Sequence, residues 1–136
     1  MAEQLGRPIA KAWNAIGSDS LAKDGRPVDS PERIALPIAA DRARDREVAM
    51  KLVEDTGLTA YDAGGLAESW RQQPGAPAYC TGLTHDEIAS ALAAAEKARL
   101  PVRRDLMVQV LVERMGDPKS NPDADYGVQL ARILFM

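Results

Sequence analysis

Residues 32–66, ERIALPIAADRARDREVAMKLVEDTGLTAYDAGGL, carry the pattern that most narrows what this chain can fold into. Residues 34–39 form a short apolar run bounded by charge, the signature of a buried strand. Asp41 follows where a helix N-cap belongs. Over residues 43–56, Val48, Ala49, Leu52 and Val53 fall on one side of a 3.6-residue repeat, as a helix lying on a sheet requires. Gly57 comes next as a C′ glycine, free to take positive φ and stop the helix. Residues 58–62 read as a second strand, leading into the turn Ala63-Gly64-Gly65-Leu66. Strand, helix and strand in this order make a crossover, and crossovers build parallel sheets covered by helices. The expected class is therefore α/β, with a small, mostly parallel sheet of about three strands followed by a helical C-terminal half.

Residues 9–13 (IAKAW) are the first candidate strand, and residues 14–18 the turn after it. Ser18 or Asp19 is placed to cap a short turn running through Leu21. Residues 23–31 hold Asp24-Gly25 and two prolines and read as a loop. Pro37 removes one donor from its strand, so an edge position or a bulge is expected there. Residues 66–72 suggest a turn or two of helix carrying Trp70, broken by Pro74-Gly75-Ala76-Pro77. Thr84-His85-Asp86-Glu87 spells a capping box that opens an alanine-rich helix running to Leu100. Beyond the boundary at Pro101, residues 102–115 form another helix, with Leu106, Val110 and Leu111 facing inward and Gly116 ending it. A polar loop is expected at 117–123. Residues 126–135 are amphipathic, helical or extended. Residues 1–73 thus form an α/β segment and residues 74–136 a helical segment packed on it, one compact domain overall.

Composition closes several possibilities. The net charge of −3 gives no basic face for a phosphate backbone, and the arginines at 42, 44, 46 and at 99, 103, 104 are interleaved with acids. Nucleic acid is therefore not an expected partner. A single cysteine excludes an internal disulfide and fits a reducing compartment. The first residues lack an apolar signal core, and no run approaches the ~18 apolar residues of a membrane span. A cytoplasmic protein without a membrane partner is expected.

Neither the dinucleotide fingerprint G-x-G-x-x-G nor the phosphate loop is present. Gly64-Gly65 lacks the third glycine and reads as a plain turn. His85, at the second position of a capping box, is expected on the surface, and with Cys80 it supplies too few ligands for a metal. Cys80 would act as a nucleophile only beside a base, and otherwise is a small buried residue. Trp13 and Trp70 are expected as core or interface anchors.

Three motifs recur together: Lys11-Ala12-Trp13-Asn14-Ala15-Ile16, Leu36-Pro37-Ile38-Ala39-Ala40-Asp41 and Asp62-Ala63-Gly64-Gly65-Leu66. In order and spacing they resemble the rear half of the deazaflavin-dependent NADP reductases and their wider group of NAD(P)-binding reductases. That likeness implies a partial Rossmann-like fold and hydride transfer between NADP(H) and a second redox partner. It also implies that Asn14, Ala15, Ile16 and Gly17 lie beside the nicotinamide and the deazaflavin ring. Family members carry a phosphate-gripping front half before the first motif; here only a short polar lead precedes Lys11. Ala40 stands where the family favours glycine.

Two functions follow as expectations. One is the C-terminal portion of an NAD(P)-dependent oxidoreductase, not competent for NADP alone and working with a separate N-terminal half. The other is a non-catalytic homo-oligomeric module derived from that fold, a homodimer covering the bare strand at 9–13. A small independent enzyme using Cys80 or His85 is a weaker third.

Overall fold

The computed structural model describes residues 2–117, 120 and 122–136. Its centre is a three-stranded sheet in the order β1-β2-β3, with β1 at Ala10–Lys11, β2 at Ala35–Ala40 and β3 at Thr59–Asp62, preceded by a short helix α1 at Ala2–Leu5. The crossover is as expected: β2 and β3 run parallel, joined through helix α3, Ala43–Asp55. Every residue of β2 is buried. Leu36 and Ile38 face α3 and pack with Ala49, Val53, Leu58 and Ala60. Ala35 lies in a second cluster on the other face with Ala78, Leu83, Ile88, Ala91 and Leu92. Helices therefore cover both faces. Each large aliphatic side chain so buried contributes about 1.5–3 kcal/mol.

The sheet is mixed rather than mostly parallel. β1 is only two residues long and antiparallel to β2, with Ala10 opposite Ala40 and Lys11 opposite Ala39. Pro37 sits in the central strand, without the edge position expected of it. The register explains how. Thr59 and Ala63 donate to the carbonyls of Ile34 and Ile38, so the even-numbered residues of β2 bond toward β3. Ala35 donates to Leu83 O in the opposite direction. Pro37 belongs to that odd-numbered set, and β1 reaches only Ala39 and Ala40. Its missing N–H therefore points where no strand needs it.

Helix α3 ends as its sequence predicts, with Gly57 at φ +81°. An added Cβ there would meet Gly25 Cα at 2.9 Å, because the 23–31 loop passes against it. The N-cap position belongs to Arg42, not Asp41. Asp41 Oδ1 instead accepts from Leu66 N at 2.8 Å, fastening the Gly64-Gly65 turn. Of the four apolar residues assigned to the inner face of α3, Ala49 and Val53 are buried, whereas Val48 is 54% and Leu52 50% exposed. Arg33, 4% exposed, locks the other end of α3. Its Nη2 lies 2.8 Å from Glu54 O and 3.0 Å from Glu54 Oε2. Glu54 Oε1 in turn accepts from Ala60 N at 2.7 Å.

After β3, Leu66–Gln72 forms a 3₁₀ helix. The capping box is present at Thr84 and Glu87, opening α4, His85–Ala93. That helix does not run on to Leu100. The chain turns after Ala93 so that Leu100 can be buried, and tertiary packing overrides alanine's helix propensity. Pro101 then occupies the first turn of α5, Leu100–Met115, where its missing N–H costs nothing. Val110 and Leu111 are half-buried as expected, but Leu106 is 44% exposed. Gly116 ends α5 at φ +66°. Of the polar loop expected at 117–123, residues 118, 119 and 121 lie outside the described residues. The last segment is helical, α6 at Ala124–Phe135, capped by Asp123 Oδ1 on Tyr126 N.

The two segments are joined closely. Residues 75–78 are all buried. Gly75, at φ +97°, lies against the backbone of Leu100, and a Cβ there would overlap the Leu100 carbonyl oxygen.

Candidate functional site

The reversed direction of β1 decides where the Asn14–Gly17 residues go. β1 starts beside Ala40, at the carboxyl end of β2, and runs toward the amino end. Ala15, Ile16 and Gly17 consequently lie near Ile34 and Ala35. The crevice where nucleotides bind open α/β sheets lies outside the carboxyl ends of the strands. Here that end holds Asp41, Arg42 and Leu66 around an open hollow of about 380 Å³ shared with Arg7 and Pro8. Arg46 steadies it, donating to Ala40 O at 2.6 Å and pairing with Asp62 at 2.8 Å. The expected cofactor loop and the expected cofactor crevice are at opposite ends of the sheet.

Each residue of that loop has a defined environment. Asn14 Nδ2 donates to Gln72 O at 2.6 Å, and Gln72 Nε2 donates back to Asn14 Oδ1 at 3.1 Å. Gln72 is fully buried, so this amide pair fixes the loop against the 3₁₀ helix. Ala15 is buried and its carbonyl accepts from Cys80 N at 3.0 Å. Ile16 packs on the core cluster under α3. Gly17 is exposed and precedes helix α2, Ser18–Lys23. Ser18 and Asp19 do not cap α2. Asp19 Oδ2 instead accepts from Ala124 N at 2.8 Å, and Asp19 pairs with Lys23 at 2.5 Å. These partners, Lys23 first, hold the Asp19 carboxyl below its usual range.

Gly17 opens onto a cavity between the N-terminal segment and the last two helices. It has a volume of about 430 Å³ and an apolar lining. One wall is Gly17–Ser20 with Tyr79 and Cys80; the other is Met107, Val108 and Leu111 of α5, with Val128 and Phe135 of α6. Arg132 braces α6 by donating to Thr81 O at 2.7 Å and Gly82 O at 3.1 Å. The volume falls within the range of small-molecule sites. Nothing in the sequence marks the α5 and α6 residues as site residues beyond the amphipathic repeat of each helix.

Cys80 adopts φ +57°, and burial pushes its thiol up to about 11, a hydrogen bond with Tyr79 offsetting part of the shift. Burial, then Cys80, raises Tyr79 to about 12. Both are protonated at neutral pH, so the pair is an apolar wall with two weak donors, and the thiol is not activated. His85 is on the surface, edge-on to Tyr61 at 5.8 Å and 3.6 Å from Asp86. Neither His85 nor Cys80 has a metal-binding group around it, and no such group occurs among the described residues. Trp13 packs on the core beneath α3, and Trp70 lies under the Arg71 guanidinium at 4.4 Å. No described helix is long and apolar enough to cross a membrane.

The lining is mostly apolar and offers little to hold phosphate groups. Arg104 is the single cation in its lining, and it is engaged with Asp105 at 2.8 Å.

No family model matches the chain, and no solved structure does. It is similar to the protein YjhV of Escherichia coli (strain K12), with 40% identity over 79 residues, covering 55% of this chain. The match covers 58% of YjhV, so the chain spans little more than half the length of that relative.

Proposed function

We propose that this chain is the C-terminal portion of an NAD(P)-dependent oxidoreductase of the deazaflavin-dependent NADP reductase type, acting in the cytoplasm. On this reading the β2–α3–β3 crossover is part of a Rossmann-like sheet, and a separate N-terminal half holds the dinucleotide phosphates. One observation carries it. The apolar cavity of about 430 Å³ is walled by Gly17–Ser20, directly after the motif Lys11–Ile16 on which the resemblance rests. The bound ring systems would supply the hydride chemistry. This chain's residues have a plainer part: Asn14, clamped by Gln72, fixes the loop, and the α5–α6 wall keeps water from the ring.

The test is a pair of titrations with purified protein. Fluorescence of a deazaflavin should report saturable binding to the chain alone, whereas calorimetry with NADPH should show none below millimolar concentration. Submillimolar NADPH binding by the unaided chain would overturn the missing-half reading. Absence of deazaflavin binding, with or without a supplied N-terminal half, would overturn the reductase reading.

The second reading, a non-catalytic homo-oligomeric module, is favoured by the exposed apolar stripe of α3.

A further inference from the structure

Helix α3 turns an unusual face to solvent. Val48 and Leu52, one turn apart, are each about half exposed and border a groove of about 360 Å³ floored by Ile9, Ala12 and Trp13. Around them on the same side stand Arg44 toward the amino end, Glu47 and Lys51 in the middle, and Asp55 at the carboxyl end. All four charged residues are exposed, and none makes an ion pair or side-chain hydrogen bond among the described residues. The other charged residues of the helix are engaged or partly buried: Arg46 with Asp62, Glu54 with Arg33, and Asp45 half-buried.

We infer that this face is a self-association surface on which α3 of a second copy packs antiparallel across a two-fold axis. The charge pattern selects that occupant. A two-fold passing between Val48 and Leu52 sets Val48 against the partner's Leu52. The same operation brings Arg44 opposite the partner's Asp55 and Glu47 opposite the partner's Lys51. Each contact occurs twice, as an isologous interface demands. A stripe with its cation at one end, its anion at the other and aliphatic residues between is complementary to itself reversed. The antiparallel arrangement also places the positive end of each helix dipole beside the negative end of the other. Strand pairing through β1 is a poorer route, since that edge is two residues long and Pro8, two positions before it, has no N–H to extend it. The surface is independent of whether a coenzyme is ever bound.

Sedimentation equilibrium of the full chain at low salt tests the inference. The protein should form a dimer whose population rises with concentration through the micromolar range. Arg44→Glu sets like charges against each other at both ends and should weaken the dimer about tenfold or more, and Asp55→Arg should do the same. Mixing the two variants should restore association, because in the mixed dimer each reversed charge meets its opposite. Both positions are exposed, and unchanged circular dichroism will show that the variants remain folded. A monomer at every concentration would overturn the inference. So would a dimer indifferent to both swaps, or variants that fail to recover on mixing.

Discussion

Replacing Gly75 with alanine should destabilise the protein by about 3 kcal/mol, and the structure separates that figure into two parts. The first is conformational: an L-residue held at positive φ costs roughly 1–2 kcal/mol. Gly75 lies at φ +97°. The second is steric. The new Cβ would stand 2.9 Å from Leu100 Cα and 3.0 Å from its carbonyl carbon, besides overlapping the oxygen. These are backbone atoms at the start of α5 and cannot rotate away; forced repacking of this kind costs about 1–3 kcal/mol. Gly64→Ala is the control. Gly64 lies at φ +79°, but its Cβ would meet nothing within 4 Å, so only the conformational part applies. Urea unfolding at fixed protein concentration reads both. With a slope of roughly 1.5 kcal/mol/M, the midpoint should fall by about 2 M for Gly75→Ala and by only about 1 M for Gly64→Ala. Equal shifts would show that the 74–77 segment yields freely, and that residues 1–73 and 74–136 are not rigidly joined there.

Glu54→Ala should cost about 2–4 kcal/mol in thermal unfolding, because it strands the buried Arg33 guanidinium and the Ala60 amide. The double variant Arg33→Leu with Glu54→Ala should be more stable than Glu54→Ala alone, since no charge stays buried. At pH 8, alkylation of Cys80 should run about a hundredfold slower in the folded chain than in urea, its thiol being pushed up to about 11 by burial. Rapid labelling under native conditions would contradict the burial of the Cys80 thiol. Acid should loosen two contacts. Asp19, through Lys23 and Ala124, and Glu87, through Thr84, have folded carboxyls held below the ordinary range. Their stabilisation is complete above that range and disappears as pH falls through the lowered values. Asp19→Asn should flatten the acid limb of a stability-against-pH curve, and an unchanged limb would remove Asp19 from this account.

The crossover was legible because its signals are local. Val53 and Ala49 repeat at helical spacing, Gly57 marks a stop, and β2 is apolar from end to end. What stayed hidden depends on distant partners. Nothing within Ala10–Lys11 states which way that strand runs, and its direction decides the end of the sheet to which Asn14–Gly17 belongs. Asp41 has the residue type of a cap, but its carboxylate serves Leu66, 25 positions on. Val48 and Leu52 have core-like spacing, yet whether they are covered depends on what lies beyond α3. The cavity draws its walls from α2, the 79–80 connector, α5 and α6, and no short stretch of sequence contains two of them. The family resemblance assigns Asn14 to a cofactor, but its amide is occupied with Gln72.

Pro37 also bears on the order in which the sheet assembles. During folding, β2 can zip along its whole length only with the segment that becomes β3, because its opposite flank is interrupted at the proline. Early pairing should thereby favour the partner one crossover away. Joining of the earlier segment is limited to the last two residues of β2 and should come late. A protein built this way should fold around its crossover first, with its N-terminal residues remaining the most readily exchanged amides of the sheet in native-state hydrogen exchange.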